Sequence, residues 1–275
     1  EHQLVDSIKK AATKRMLDSL KDLKTNSFDK YKEFWNEYGL VLKEGPAEDH
    51  ENKETIASLM LFASTFSNNN SVNQGLDDYV GRMKSDQDKI YFCVADTYEA
   101  AVNSPHIEGL KSKGIEVILL TDRIDEWLMA GLMEYQGKEL VNAAKEDIEK
   151  EDTSKKVSEA DQDIIKKIKK HLNEKVSDVV ISSRLTDSAS CIVLPKHEPG
   201  AQLRKILEAS GQSLGSSNPI FEINIKHKLV KKLKDMKGKQ FNAYVDFLYD
   251  YAVIAEGGSP QDPSRYLRQL DKYLS

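Results

Sequence analysis

One short segment carries a serine in the pattern that hydrolases use. Residues 211–215 read GQSLG, a G-x-S-x-G match in which Ser213 would be the nucleophile. A working nucleophile elbow needs a strand before the serine and a helix after it. Here ILEAS before the motif favours a helix, and SSNP after it favours a loop. A hydrolase that uses Ser213 is therefore kept only as an alternative.

Two aspartates follow β-prone runs, where carboxylates can do acid–base chemistry. Asp96 ends KIYFCVAD (89–96), and Asp122 ends GIEVILLTD (114–122). A helical pattern follows each run, and both aspartates suit helix N-caps, with Glu99 completing a capping box after Asp96. We therefore expect capping rather than catalysis at both positions. An enzyme that binds a small ligand beyond the ends of these two strands remains an alternative.

Other chemical motifs are missing from the sequence. There is no G-x-G-x-x-G after a strand, no G-x-x-x-x-G-K-[ST] and no HExxH, and the six histidines are dispersed. Cys93 and Cys191 lie in apolar surroundings without a CxxC, which predicts buried thiols rather than a metal site or a disulfide. We expect no catalytic residue, metal or cofactor in this chain.

The composition gives no reason to expect nucleic acid or a membrane as a partner. Forty Lys and Arg against 45 Asp and Glu give a net charge of −5 over 275 residues, so no global charge attracts nucleic acid or an anionic membrane. No apolar run approaches the roughly 18 residues that a membrane span needs. The chain opens at Glu1 in a charged helical pattern, from which we expect a piece of a longer protein.

Apolar spacing predicts a helical first part followed by a βαβ unit. Apolar residues every three or four positions indicate a helix over 4–23 that packs along its whole length. A second helix should run from Phe28 to a C-cap at Gly39, and a third over 53–66, before a polar loop at 67–73. The runs 89–96 and 114–122 then form parallel strands around a helix, followed by a helix over 123–135 with Asp125 and Glu126 in its first turn.

The second half reads as α+β. An acidic stretch at 145–163 is the expected domain boundary. The next helix has a basic face that fits solvent better than phosphates; its lysines are Lys166, Lys167, Lys169, Lys170 and Lys175. Strands follow at 176–184, 191–194 and 220–225, with a helix at 200–210 and three helices at the end.

The last two long helices carry more apolar surface than one chain would bury. Pairing of these helices across a two-fold axis would form a four-helix bundle, so we expect a homodimer. The expected interface residues are Phe241, Tyr244, Val245, Leu248, Tyr251, Tyr266, Leu267, Leu270 and Leu274.

Several long strings resemble the ninety-kilodalton heat-shock chaperone family, most closely its bacterial type. They are GLVLKEGPAED (39–49), LDDYVGRMKSDQDKIYF (76–92), GIEVILLTDRIDEW (114–127), SSRLTDSAS (182–190) and FEINIKHKLV (221–230). The resemblance implies that 1–145 is the latter part of a middle domain, with a helical coil (1–66) and a small three-layer αβα subdomain (76–145). Residues 160–275 would be an α+β dimerisation domain.

The resemblance also implies a function. The parent would be a cytoplasmic, ATP- and Mg-dependent stress-response chaperone, and this part, without the nucleotide-binding domain, would not hydrolyse ATP. Non-native client proteins would contact Glu126 and Trp127, and also Leu203, Ile206 and Leu207 on a short amphipathic helix. A scaffold that binds one specific partner through its apolar helix is the remaining alternative.

Overall fold

The computed structural model describes residues 2–67, 69–145, 158–195, 198 and 218–274, without the side chains of residues 2, 3 and 274. Within these residues the fold is mixed α/β, with two mixed sheets. The helices are α1 (His2–Asn26), α2 (Phe28–Glu48), α3 (Lys53–Leu59), α4 (Leu76–Arg82), α5 (Tyr98–Val102), α6 (Glu108–Ser112), α7 (Asp125–Gly131), α8 (Glu159–His171), α9 (Lys228–Lys231), α10 (Gly238–Ala255) and α11 (Pro263–Leu274). The strands are β1 (Ala63–Ser64), β2 (Lys89–Val94), β3 (Val117–Leu120), β4 (Glu134–Tyr135), β5 (Lys138–Asn142), β6 (Asp178–Ile181), β7 (Ser190–Val193) and β8 (Ile220–Ile223).

The chain packs as two compact units that interleave along the sequence. The first unit comprises Glu1–Ile90 and Asp122–Leu140, and the second comprises Tyr91–Thr121 and Val141–Ser275. Most of the expected boundary at 145–163 falls outside the described residues. The division into domains at 1–145 and 160–275 therefore stays a prediction.

Helix α1 in the first unit is less covered than its apolar spacing predicts. Leu17 is buried, but Leu4, Ile8 and Met16 are exposed. The helix predicted from this spacing is present. The expectation that it packs along its whole length is wrong for this chain, since the contacts of α1 with α2 and α3 leave its apolar N-terminal half in solvent.

Helix α2 does not end at Gly39, and the predicted C-cap there is wrong. The helix continues for nine more residues to Glu48. Gly39 is needed for space, because a Cβ at this position would lie 2.8 Å from Cε2 of Trp35. Pro46 sits in the last turn, where the loss of one backbone hydrogen bond costs the helix least.

Two predicted helices are too long. α3 ends at Leu59, and the buried residues after it are extended, with Phe62 and Gln74 bonded backbone to backbone. The helix expected over 123–135 ends at Gly131 and gives way to the β4–β5 hairpin. Gln136 and Gly137 both have positive φ, as the tight type I′ hairpin turn requires. Short apolar runs do not distinguish helix from strand by periodicity, which explains both errors.

In the second unit, the predicted parallel pair is confirmed. β2 pairs with β3 in parallel, with Tyr91 opposite Val117 and Val94 opposite Leu120. The cap of the following helix α5 is one residue later than predicted. Thr97, rather than Asp96, is the N-cap, and its Oγ1 accepts the N–H of Ala100 at 3.1 Å.

A second sheet in this unit has the order β6-β8-β7, with β6 parallel and β7 antiparallel to β8. α8 packs beside β6, and α10 packs against β7, α8 and α11. The α+β arrangement predicted for this half is therefore present. The predicted helix at 200–210 lies outside the described residues.

Candidate functional site

The short helix α7 in the first unit presents a large aromatic side chain to solvent. Trp127 is 57% exposed, and Met133, just beyond the helix, is 66% exposed. Leu128 and Met129, the next residues along, are buried. Glu126 beside Trp127 is half-buried. A tryptophan whose large apolar surface remains in water is a candidate contact for another apolar chain.

A buried cluster of charges fixes the start of α7. The Nζ of Lys43 on α2 lies 2.7 Å from Oδ2 of Asp122 and 2.6 Å from Oδ1 of Asp125. Oδ2 of Asp125 also accepts the backbone N–H of Asp122 at 2.9 Å. Lys43 and Asp125 are almost completely buried, and the Lys43 ammonium lies 5.7 Å from the centroid of the Phe62 ring.

Burial and the neighbouring charge shift the pKa of the Asp125 carboxyl in opposite directions. Burial raises the pKa of this carboxyl above its ordinary value, whereas the neighbouring Lys43 ammonium lowers it. We attribute the net upward direction to the cost of keeping a carboxylate away from water. The ion pair with Lys43 compensates this cost. It also fixes the position of α7, because removing either partner would leave an unpaired buried charge.

Asp122 does not cap α7, so the predicted cap is wrong. The residue before the helix is Ile124, which makes no side-chain cap, and the carboxylate of Asp122 binds Lys43 instead. Asp125 and Glu126 do lie in the first turn, as predicted. Lys43 was not predicted from the sequence, although it lies four residues after Gly39 and eight after Trp35 and so shares the buried face of α2.

Close backbone contact completes the support of α7. α7 packs on α2, and a Cβ at Gly131 would lie 3.1 Å from the Cα of Ala47. The glycine therefore allows the end of α7 to approach the last turn of α2 closely. The surface around Trp127 rests on two helices that are fixed by packing and by the Lys43 cluster.

The predicted dimer residues lie on α10 and α11 in the second unit. Phe241, Tyr244, Val245 and Leu248 are buried within their own chain, whereas Leu267 is 58% exposed. Tyr251, Tyr266 and Leu270 are half-buried, and the side chain of Leu274 lies outside the described part.

Aromatic rings join α11 to α10. The rings of Phe247 and Tyr266 are stacked with centroids 5.4 Å apart, and Tyr273 meets Tyr244 edge-on at 4.6 Å. Burial raises the pKa of Tyr244 to about 12, and among the described residues its hydroxyl has no hydrogen-bond partner. These contacts cover one side of α11 and leave Leu267 outside.

Residues of the string SSRLTDSAS (182–190) belong to a hydrogen-bond network that was not predicted from the sequence. Arg184 donates to both carboxylate oxygens of Glu222 on β8 and to the carbonyl of Lys145. Glu108 at the start of α6 accepts three consecutive backbone N–H groups, those of Thr186, Asp187 and Ser188, at 2.8–3.1 Å. All these residues belong to the second unit, where they tie the loop after β6 to α6 and β8.

The remaining chemical candidates are the two cysteines, the possible metal ligands and Ser213. Cys93 and Cys191 are buried free thiols, as predicted. Within the described ranges, no group of three or more His, Cys, Asp or Glu side chains is placed to hold a metal ion. No described helix is long and apolar enough to cross a membrane. Ser213 and the client candidates Leu203, Ile206 and Leu207 lie outside the described residues.

Comparisons with known proteins agree with the resemblance in the sequence. The model of the Hsp90 protein family matches residues 1–275. The chain is 44% identical over 280 residues to the chaperone protein HtpG of Legionella pneumophila (strain Lens), covering all of this chain and 45% of that protein.

Other relatives give the same result. The chaperone protein HtpG of Colwellia psychrerythraea (strain 34H) is 43% identical over 283 residues, and that of Shewanella halifaxensis is 42% identical over 283 residues. Each match covers all of this chain and 43% or 44% of the relative. The chain thus spans less than half the length of these curated relatives. The family match along the whole chain shows that it belongs to the Hsp90 family.

Proposed function

We propose that this chain is the part of an Hsp90-type chaperone that pairs as a homodimer and binds non-native client proteins. Its membership of the Hsp90 family over residues 1–275 carries the proposal, because the curated relatives that it matches are chaperones. We further propose that the longer protein is cytoplasmic, acts in the stress response and depends on ATP and Mg. In this proposal ATP binding belongs to another part of that protein, and residues 1–145 and 160–275 are a partial middle domain and a dimerisation domain.

Client binding on α7 is supported by the exposure of Trp127. A client is recognised by its exposed apolar segments, so a fixed aromatic surface is a suitable contact. Lys43 and Asp125 hold α7 in place without covering Trp127. A preformed surface also loses less conformational freedom on binding than a mobile one. Glu126 borders this surface, and Leu203, Ile206 and Leu207 are its proposed counterparts on the amphipathic helix.

Dimerisation is supported by the side of α11 that the chain leaves uncovered. Leu267 and Ile254 are exposed apolar residues on α11 and α10. We propose that these residues, with Tyr251, Tyr266, Leu270 and Leu274, contact the partner chain. Phe241, Tyr244, Val245 and Leu248 would then shape the interface from beneath, because their own chain already covers them. Pairing would bring two weak client surfaces together and raise the overall affinity.

The client surface is tested by fluorescence anisotropy with labelled, reduced and carboxymethylated α-lactalbumin as a permanently unfolded client. Trp127→Ser should weaken binding several-fold, because one large apolar contact is lost. Tyr38→Ser is the matched control, since Tyr38 on α2 is equally exposed at 57%. If the two variants bind as the parent chain does, or weaken equally, α7 is not the client surface.

The interface is tested by light scattering over a range of micromolar concentrations. Leu267→Asp should shift the chain from dimer to monomer, because it places a charge in an apolar contact. Leu40→Asp changes a leucine of similar exposure on α2 and should leave the dimer intact. A parent chain that stays monomeric, or a Leu267→Asp chain that stays dimeric, contradicts the proposed interface.

A further inference from the structure

A cavity in the second unit is lined by positive charge. Its volume is about 460 Å³, and it lies where α8 meets the start of α10. Lys167 and Lys170, one turn apart on α8, and Lys237, just before α10, line it. Met236 and Phe241 supply an apolar wall, and none of the described residues that line this cavity is a carboxylate.

The three lysines of the cavity have no acidic partner among the described residues, whereas two lysines nearby do. On α8, Lys169 pairs with Asp178 at 2.8 Å, and Lys234, just before Lys237 in the chain, pairs with Asp161 at 2.9 Å. Among the described residues, Lys167, Lys170 and Lys237 form no ion pair. In the described part of the chain, the three lysines of this cavity therefore lack a carboxylate partner, as does the exposed Lys166 of α8, which does not line the cavity.

Asp246, an acid beside one lining residue of the cavity, is already engaged. His171, which also lines the cavity, lies 3.1 Å from Asp246 through its Nε2, and Lys175 lies 3.6 Å from the same carboxylate. Asp246 therefore faces a histidine and a lysine of α8 rather than the three cavity lysines. Three uncompensated ammonium groups in one concave site repel each other, and a bound anion would relieve that repulsion.

The N-terminus of α10 adds to the positive electrostatic potential in the cavity. Its N-cap residue Lys237 makes no side-chain cap, and its first turn contains no acidic residue. The first N–H groups of an 18-residue helix and its dipole therefore add positive charge beside the lysines. By itself a helix start would not make a site, but here it coincides with a cavity lined by three lysines.

We propose that this cavity binds a soluble oligophosphate, an anion with at least two linked phosphate groups. Three lysines on two elements match several separated negative charges better than they match a single phosphate. The volume is also larger than one phosphate group needs. This site shares no residue with the proposed client surface, and it shares Phe241 with the residues proposed to lie beneath the dimer interface.

The site is tested by calorimetric titration of the full chain with sodium pyrophosphate, orthophosphate and sulfate at constant ionic strength. Pyrophosphate should bind once per chain and more tightly than the other two anions. The variant Lys167→Gln/Lys170→Gln/Lys237→Gln should lose at least about tenfold in affinity, equivalent to about 1.4 kcal/mol. The control Lys9→Gln/Lys14→Gln/Lys30→Gln removes three exposed lysines from α1 and α2 and should stay within about twofold on the same scale.

A second measurement locates the bound anion. Acetylation with an N-hydroxysuccinimide ester, followed by mass spectrometry, should show that pyrophosphate protects Lys167, Lys170 and Lys237 but not Lys166 or Lys231. Absence of pyrophosphate binding, equal binding of orthophosphate, equal losses in the two triple variants, or protection elsewhere would each overturn the proposal.

Discussion

Replacing Glu108 with glutamine should loosen the loop that follows β6. The carboxylate of Glu108 accepts the N–H groups of Thr186, Asp187 and Ser188 and the hydroxyl of Ser188. Glutamine keeps the shape but loses the charge, and its amide NH2 would face donors instead of accepting from them. Glu108 and Ser188 are half-buried, so water replaces only part of what is lost.

The cost can be estimated from these contacts. A hydrogen bond to a charged group contributes about 1.5–3 kcal/mol, and the two bonds from Ser188 are the ones least accessible to water. Because solvent rescues the exposed N–H groups of Thr186 and Asp187, we expect Glu108→Gln to destabilise the second unit by about 2–4 kcal/mol. The exposed residue Glu99 on α5 is the matched control, and Glu99→Gln should change stability by less than about 0.5 kcal/mol.

Hydrogen exchange with mass spectrometry is the suitable assay, because it reports on each segment of a chain with two units. In Glu108→Gln, peptides that contain residues 186–188 should exchange tens of times faster, and the urea midpoint should fall. Unchanged exchange and an unchanged midpoint would refute the conclusion that Glu108 holds this loop.

Further predictions concern Lys43, the two buried thiols and Gly109. Lys43→Met should lower stability by about 3–5 kcal/mol in urea unfolding, because it leaves Asp125 buried without its partner; a loss below about 1 kcal/mol would contradict this. Burial raises the pKa of Cys93 to about 12 and also raises that of Cys191, so neither should react with Ellman's reagent at pH 8 unless urea is added. Because the folded thiols keep protons that the unfolded chain releases, the free energy of unfolding should decrease as pH rises from about 9 towards 12. Gly109→Ala should lower the thermal midpoint, since its Cβ would lie 2.9 Å from the carbonyl oxygen of Arg184, and an unchanged midpoint would show that the backbone yields.

Local sequence patterns predicted many of the helices and strands. The parallel pair β2–β3 follows from two β-prone runs joined by a short helical segment, because this arrangement has few geometric solutions. The basic face of α8 lies in solvent as predicted, and the opposite face buries Ile164 and Ile168. The end of α2 was wrong because a glycine that makes space reads like a glycine that ends a helix. The end of α7 was wrong because the short apolar run after Gly131 is compatible with helix and strand.

The contacts that support the candidate site could not be predicted in the same way. Lys43 and Asp125 are 82 positions apart, and Glu108 and Ser188 are 80 apart, so no local pattern links them. A buried lysine on an apolar helix face is the only local signal. The client and dimer residues came instead from resemblance and from excess apolar surface, and they remain proposals.

Sedimentation velocity of the chain mixed with fluorescent carboxymethylated α-lactalbumin tests the central claim most directly, because it reports self-association and client binding together. We predict that the chain sediments as a dimer and that the labelled client moves with it, at one client for two chains. A chain that sediments as a monomer, or a client that sediments alone at micromolar chain concentrations, would contradict the account.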